Sequence, residues 1–170
     1  MFVWRFFIVA IALGIAPIMA EEFAAKPRQI IDGDTLSLNF RFKGIDTPET
    51  RQRCERQGAC YPCGVRATEA LRELITTKQG KLKELRFKVW ETGRYGRLIV
   101  TPFLGNKDIS LELIKQGWAL AYRRYLPDAL RADYLAAEQD AKTDKRGMWD
   151  GAFIEPWKWR RGARLACEKK

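Results

Sequence analysis

The clearest alternation of apolar and polar positions in the chain lies between residues 36 and 42. A period of two predicts a half-buried β-hairpin, and its turn is expected near residues 38 and 39. Acidic residues stand at both outer ends of this hairpin, so strand pairing would bring them together. The apolar positions are Leu36, Leu38, Phe40 and Phe42, and the acidic ones are Asp32, Asp34, Asp46 and Glu49.

Three other segments carry apolar residues at helical spacing and predict α-helices. They cover residues 64–78, residues 110–116 and a stretch that begins after Pro127 and Asp128. A polar segment, residues 51–63, predicts a loop, and further strands are predicted at residues 26–31, 85–89 and 97–100. Because strands are interleaved with helices but no βαβ unit repeats, the pattern favours a single α+β domain.

The first 20 residues have the pattern of a secretory signal peptide. Arg5 is their one charge, a long apolar run follows it, and the small residue Ala20 precedes two acidic residues. An uncleaved membrane anchor is the alternative, although the run is shorter than the roughly 20 apolar residues of a spanning helix. Cleavage after Ala20 would leave residues 21–170 as one domain, with a basic, tryptophan-rich tail from about residue 150.

Basic residues exceed acidic ones along the whole chain, with a formal net charge of +10. Without Arg5 the domain keeps 30 basic side chains against 21 acidic ones, a net charge of +9. Such an excess favours a polyanionic partner, nucleic acid before heparin-like glycans or an anionic membrane.

The acidic hairpin ends are the candidate site for chemistry. Hard oxygen ligands converging from two loops suit Ca2+ or Mg2+, and Arg41 lies on the opposite face of the hairpin, within reach of a bound anion. Carboxylates and arginine in a chain without histidine indicate metal-assisted phosphodiester chemistry. The alternative is ordinary turn chemistry, in which acidic residues are simply solvated.

These motifs resemble the signature of the staphylococcal nuclease family. The matching segments are Asp32-Gly-Asp-Thr35, Arg41, Asp46-Thr-Pro-Glu49, Arg94-Tyr-Gly-Arg97, Leu113-Ile-Lys-Gln-Gly117 and Ala121-Tyr122, within residues 26–149. The connection between the two acidic clusters is shorter here than in the family. The resemblance implies an α+β fold built on a five-stranded OB-fold-type β-barrel that carries three helices.

The resemblance also implies a role for each acidic residue. Asp34 and Asp46 would bind Ca2+ through their carboxylates, and Thr47 would bind it through its backbone carbonyl. Glu49 would activate or orient the attacking water, whereas Asp32 would form the turn or support the ligands.

Arginine and tyrosine residues complete the implied site. Arg41 and Arg97 would hold the phosphate and stabilise the charge that develops on it, because planar guanidinium groups bind phosphate oxygens in pairs. Tyr95 and Tyr122 would line the nucleotide pocket.

Two functions from different classes remain open at this stage. The first is a secreted, Ca2+-dependent nuclease that cuts DNA and RNA with little sequence preference and leaves 3'-phosphate ends. It would act as a monomer in the periplasm or medium, without stable membrane association. The second is a catalytically inactive OB-fold module that binds nucleic acid. Retention of the whole residue set favours the enzyme.

The four cysteines are expected to form disulfides in an exported chain, and they allow three connectivities. Cys60-Tyr-Pro-Cys63 alone could also be a redox motif or half of a zinc site. The resemblance to exported relatives implies a Cys54–Cys63 bridge, which leaves Cys60 and Cys167 as the second pair.

Overall fold

The structure is a computed structural model that describes residues 21–25, 30–36, 40–93 and 96–169. Several predicted features lie outside the described residues: the signal peptide at residues 1–20, residues 26–29 of the first predicted strand, the hairpin turn near residues 38 and 39, and Arg94 and Tyr95.

One mixed β-sheet forms the centre of the fold. Its strands are β1 (Glu22–Ala25), β2 (Ile30–Asp32), β3 (Thr35–Leu36), β4 (Phe40–Phe42), β8 (Leu85–Thr92), β9 (Leu98–Leu104) and β10 (Lys107–Asp108). Two further pairs join β5 (Ile45–Asp46) to β11 (Leu120–Ala121), and β6 (Cys54–Arg56) to β7 (Ala59–Tyr61). The main sheet has the order β1, β8, β9, β4, β3, β2, with β10 paired to β9.

The described residues include four α-helices. They are α1 (Cys63–Ile75), α2 (Ile109–Lys115), α3 (Asp128–Thr143) and the short α4 (Pro156–Trp159). Phe42 and Phe87 of the sheet, Leu71 of α1 and Leu113 of α2 are fully buried in one core, which Tyr134 of α3 joins. The three longer helices lie where helical periodicity predicts them, within a few residues at each end.

The predicted α+β class is confirmed, and the hairpin is present as the antiparallel pair of β3 and β4. The described residues contain eleven strands and not the five expected, because several are pairs of only two residues, such as β5 with β11. Among the described residues the pairings give an open order from β1 to β2 and no closed barrel.

The segment predicted as a loop, residues 51–63, instead contains the hairpin of β6 and β7. Its two-residue turn is Gln57-Gly58, and both residues have positive φ angles, 51° and 78°. Turns of this kind match the right-handed twist of paired strands, so even a polar segment can form a hairpin.

Both predicted disulfides are present. Cys54–Cys63 joins β6 to the start of α1, and Cys60–Cys167 joins β7 to the C-terminal residues. The redox and zinc interpretations of Cys60-Tyr-Pro-Cys63 are therefore wrong, because both cysteines are bonded to partners outside that motif.

Two glycines, Gly33 and Gly64, allow close contact between the acidic segments and neighbouring parts of the fold. A Cβ at Gly33 would lie 3.0 Å from the Thr47 hydroxyl oxygen, and a Cβ at Gly64 would lie 1.8 Å from the Glu49 carbonyl oxygen. Contact as close as that at Gly64 is possible only without a side chain, so the first turn of α1 determines where the backbone of Glu49 lies.

Gly64→Ala should therefore destabilise the fold, although alanine is the better helix former. We expect a loss of about 1–3 kcal/mol in the free energy of unfolding, the usual range for overpacking. Urea denaturation measures it, with Val65→Ala on the exposed side of the same turn as the control. Equal stabilities of the two variants would contradict the close contact.

Candidate active site

The turn between β2 and β3 brings Asp34 against the loop after β5. The buried Asp34 carboxylate accepts a hydrogen bond from the Thr47 backbone N–H at 3.3 Å and another from the Thr35 hydroxyl at 3.1 Å. Asp32 accepts from the Asp34 N–H at 3.2 Å and so closes the turn. The two acidic ends of the hairpin are thus joined at Thr47.

Asp46 lies at the end of β5, where pairing with Leu120 of β11 holds its backbone. The Asp46 side chain is 1% exposed. Its Oδ1 accepts a hydrogen bond from Nη2 of Arg41 at 3.3 Å. Arg41 stands opposite Thr35 in the β3–β4 ladder, on the face away from Phe40 and Phe42, as the alternation predicts.

Burial makes both carboxylates costly to ionise. The pKa of Asp34 is raised to about 8, mainly by burial and by the negative charge of Asp32, while Arg41 opposes the shift and Asp46 adds to it. Burial also raises the pKa of Asp46, against hydrogen bonds and charge from Arg160 and Arg41. The site therefore holds two carboxyl groups where little water can stabilise their ionised forms.

This arrangement fits a hard divalent cation. Two buried carboxyl groups with raised pKa values gain stability as carboxylates from an adjacent positive charge, and oxygen donors are the ligands that Ca2+ and Mg2+ prefer. Within the described part of the chain, no group of three or more His, Cys, Asp or Glu side chains could hold a metal. Backbone carbonyls such as that of Thr47, or water, would have to supply the remaining ligands.

Arg160 directly follows α4 and contacts Asp46 and Glu49 at the entrance of the site. Its Nη2 donates to Oδ2 of Asp46 at 2.6 Å, and its Nη1 donates to Oδ1 of Asp46 at 3.1 Å. The same Nη1 donates to Oε1 of Glu49 at 2.6 Å. One guanidinium group therefore links a predicted metal ligand to the residue predicted to act on water.

A cleft of about 420 Å³ opens beside these residues. Four basic side chains and one acidic side chain line it, together with aromatic rings. The charged residues are Arg41, Lys43, Arg97, Arg160 and Glu91, and the aromatic ones are Phe42, Tyr122 and Tyr125. Positive charge and aromatic faces suit a phosphodiester chain and its bases.

The predicted site residues are largely neighbours in space. Thr47 is hydrogen-bonded to Asp34 and adjoins Asp46 in the chain. Arg160 links Asp46 to Glu49, and Arg41 connects Asp46 to the cleft. Arg97 and Tyr122 line that cleft, although the indole of Trp157 stacks on Tyr122 with ring centres 5.0 Å apart.

Arg160, Lys43 and Tyr125 are not among the residues that the sequence predicts for the site. The signal for Arg160 was its place in a basic, tryptophan-rich tail, but the tail alone does not show that it folds back. Arg160 and Asp46 are 114 residues apart in the chain. Lys43 is close in sequence to Arg41 and could have been suspected from the net charge of the segment.

Comparison with known proteins identifies the class. Residues 39–151 match the family model described as staphylococcal nuclease homologue. The chain belongs to the staphylococcal nuclease family. Members of this family have an OB-fold and are metal-dependent, in agreement with the buried acidic cluster.

Individual proteins similar to this chain include some that are named as nucleases. A protein named uncharacterized endonuclease from Haemophilus influenzae is 31% identical over 154 residues, which cover 85% of this chain and 77% of the relative. Protein ParB of Escherichia coli is 29% identical over 170 residues, covering 90% and 87%. A micrococcal nuclease of Shigella flexneri is 29% identical over 164 residues, covering 85% and 84%. The chain is thus a nuclease, a hydrolase that acts on nucleic acid.

The raised pKa of Asp34 predicts how stability depends on pH when chelator removes divalent cations. Between about pH 4 and pH 8 the folded protein holds a proton that the unfolded chain releases, so stability should fall as pH rises. Asp34→Asn should flatten this fall in melting temperature.

Asp133→Asn on the exposed side of α3 is the matched control and should keep the slope of the unaltered protein. The same pH slope in Asp34→Asn as in the unaltered protein would show that Asp34 does not carry the buried proton.

Proposed function

We propose that this chain is an exported, Ca2+-dependent nuclease that hydrolyses DNA and RNA with little sequence preference. The observation that carries the proposal is the junction of two buried carboxylates, Asp34 and Asp46, at Thr47 beneath a basic cleft. Endonucleases and a micrococcal nuclease among the relatives support the same activity.

Asp34, Asp46 and the backbone carbonyl of Thr47 are the groups that would hold the cation. Bound there, Ca2+ would supply positive charge for a phosphate oxygen and a more acidic water. Ca2+ suits the site better than Mg2+, because ligands from two separate turns form a looser cage than the strict octahedral geometry that Mg2+ requires.

Glu49 is proposed to orient the attacking water and accept its proton. Its side chain is 32% exposed at the mouth of the site, so water and substrate can reach it. In a chain without histidine, a carboxylate is the natural base for this task.

Arg41 and Arg97 are proposed to bind the phosphate from the cleft, where both side chains contribute to the lining. Fixed guanidinium groups stabilise the charge that builds up on phosphate oxygens, and such placement of charge is a large part of what an enzyme can contribute to this reaction. Cleavage would leave the phosphate on the 3' end, as the family resemblance implies.

The substrate is proposed to be a nucleic-acid strand held mainly through its backbone. Phosphate contacts carry no sequence information, which supports broad specificity and activity on both DNA and RNA. Tyr122 in the cleft, and Tyr95 beyond the described residues, would contact the nucleotide.

Export is proposed from the N-terminal pattern and from the disulfides. Residues 1–20 would be removed as a signal peptide and residues 21–170 would fold as one domain. Two disulfides favour an oxidising compartment, here the periplasm or the medium. None of the helices described here is long and apolar enough to cross a membrane. The mature protein is proposed to be a monomer without stable membrane association.

Chelator should abolish cleavage of plasmid and single-stranded DNA, and added Ca2+ should restore it. Asp46→Asn should raise the Ca2+ concentration needed for half-maximal rate, because it removes one anionic ligand. Assays over a Ca2+ series measure both effects. Full activity in excess chelator would contradict the metal role of Asp34 and Asp46.

Glu49→Gln, Arg41→Lys and Arg97→Lys should each lower turnover by about 10²–10³, the typical cost of losing one preorganised charged group. Melting temperature and turnover are measured on every variant. Arg72→Lys on the exposed side of α1 is the like-for-like control. If Arg41→Lys and Arg97→Lys lowered the melting temperature but left turnover unchanged, both arginines would be structural.

A further inference from the structure

Residues 152–168, here called the C-terminal arm, turn back from the end of the fold to the active site. The arm begins at Ala152, which exchanges backbone hydrogen bonds of 2.8 and 2.9 Å with Glu55 of β6. It ends at the disulfide between Cys167 and Cys60 of β7. Both ends of the arm are therefore fixed to the same hairpin.

The middle of the arm is held as well. The Trp157 indole lies parallel to the Tyr122 ring, with an angle of 3° between the planes. Trp159 donates its ring N–H to Glu168 at 3.0 Å, and the same Glu168 oxygen accepts from the Arg53 backbone N–H at 2.9 Å. Aromatic stacking and this hydrogen-bonded link keep α4 beside the cleft, with Arg160 at its end.

The arm also forms hydrogen bonds that hold the turn containing Glu49. The buried Gln52 side chain donates to the Ile154 carbonyl at 2.6 Å and accepts from the Glu49 backbone N–H at 3.3 Å. Arg160 then reaches the Glu49 carboxylate, which has no other hydrogen-bond partner among the described residues. The arm thus holds Glu49 by its backbone through Gln52 and by its side chain through Arg160.

An ion pair on a protein surface usually contributes little, since solvent screens it and two long side chains must be ordered. Arg160 differs in three respects. It binds both oxygens of Asp46, whose side chain is 1% exposed, it contacts a second carboxylate, and its backbone is already fixed by the arm. Bidentate, charge-assisted contacts to a buried carboxylate are strong and directional.

We propose that Arg160 is a positioning residue of the nuclease site, which holds the Glu49 carboxylate in place for the attacking water. The Cys60–Cys167 disulfide keeps Arg160 there by fixing the end of the arm. The proposal rests on the proposed function, because Arg160 acts through Glu49.

The contact between Arg160 and Asp46 predicts that loss of Arg160 changes Ca2+ binding and turnover in opposite directions. A guanidinium group on Asp46 repels a cation that binds the same carboxylate. Loss of Arg160 should therefore strengthen Ca2+ binding while it weakens turnover. General damage to the site would weaken both, and loss of a simple phosphate contact would change KM without affecting Ca2+.

The experiment compares Arg160→Gln and Arg160→Lys with Arg161→Gln, which alters the exposed neighbour in the chain. Turnover of Arg160→Gln should fall about 10- to 100-fold, as expected when a reacting group is misplaced by an ångström or less. The Ca2+ concentration that half-stabilises the protein in thermal melts should fall about 3- to 10-fold, since a repelling charge is gone. Arg160→Lys should recover part of the turnover, and Arg161→Gln should match the unaltered protein.

A double-mutant cycle tests whether Arg160 acts through Glu49. In a Glu49→Gln background, Arg160→Gln should lower turnover by much less than it does alone, since groups in one network are not additive. Equal effects of Arg160→Gln in both backgrounds would overturn the proposal.

A variant with both Cys60→Ser and Cys167→Ser tests the tether without leaving a free thiol. It keeps the Cys54–Cys63 bridge, and it should shift turnover and Ca2+ binding in the same directions as Arg160→Gln, by a smaller factor. Turnover equal to that of the unaltered protein would show that the Cys60–Cys167 disulfide does not keep Arg160 in place.

Other outcomes separate this proposal from the proposed function. If Arg160→Gln matched Arg161→Gln in turnover and Ca2+ binding, or if it weakened both together, the positioning role would be refuted although the enzyme remained a Ca2+-dependent nuclease. If the unaltered protein cut DNA fully in chelator, or if Glu49→Gln were fully active, the proposed function itself would fail.

Discussion

Burial of the carboxyl groups of Asp34 and Asp46 is the constraint on which the site depends. A carboxylate removed from water is stable only with hydrogen bonds or opposite charge nearby. The Thr47 N–H supplies the first, and Arg41 and Arg160 supply the second. The demand for positive charge explains why a hard cation fits the site and why arginines gather around it.

Close packing at two glycines and one disulfide support the acidic segments of the site. Gly33 in the Asp34 turn packs against the Thr47 side chain, and Gly64 in the first turn of α1 packs against the Glu49 backbone. The Cys54–Cys63 bridge fixes that same first turn to β6. Because Gly64 packs against the Glu49 backbone and Gly33 against the side chains of Thr47 and Ala67, the acidic segments are held before any substrate arrives.

Local patterns made much of this predictable. Alternation in the β3–β4 hairpin places Arg41 opposite the apolar face, and helical periodicity finds α1, α2 and α3. The family resemblance supplies the Cys54–Cys63 pairing and the candidate roles, which periodicity cannot. The hairpin of β6 and β7 was missed because its strands are polar and its turn depends on positive φ angles at Gln57 and Gly58.

Arg160 could not be predicted for a different reason. Nothing near it in the sequence resembles a site, and its partners lie in a segment 111 and 114 residues earlier. Such contacts depend on the path of the arm, which is decided by the Trp157–Tyr122 stack and by the Cys60–Cys167 bond. A single sequence shows these residues but not their pairing.

The position of the arm has a consequence for the order in which the molecule is made. Cys60 leaves the ribosome long before Cys167, which follows it by 107 residues. The Asp34 turn and α1 precede Arg160 in the chain, and so does β11, whose Leu120 pairs with Asp46. Arg160 can join Asp46 and Glu49 only after all of these segments have been made, so a late part of the chain completes a site whose first residues are made much earlier.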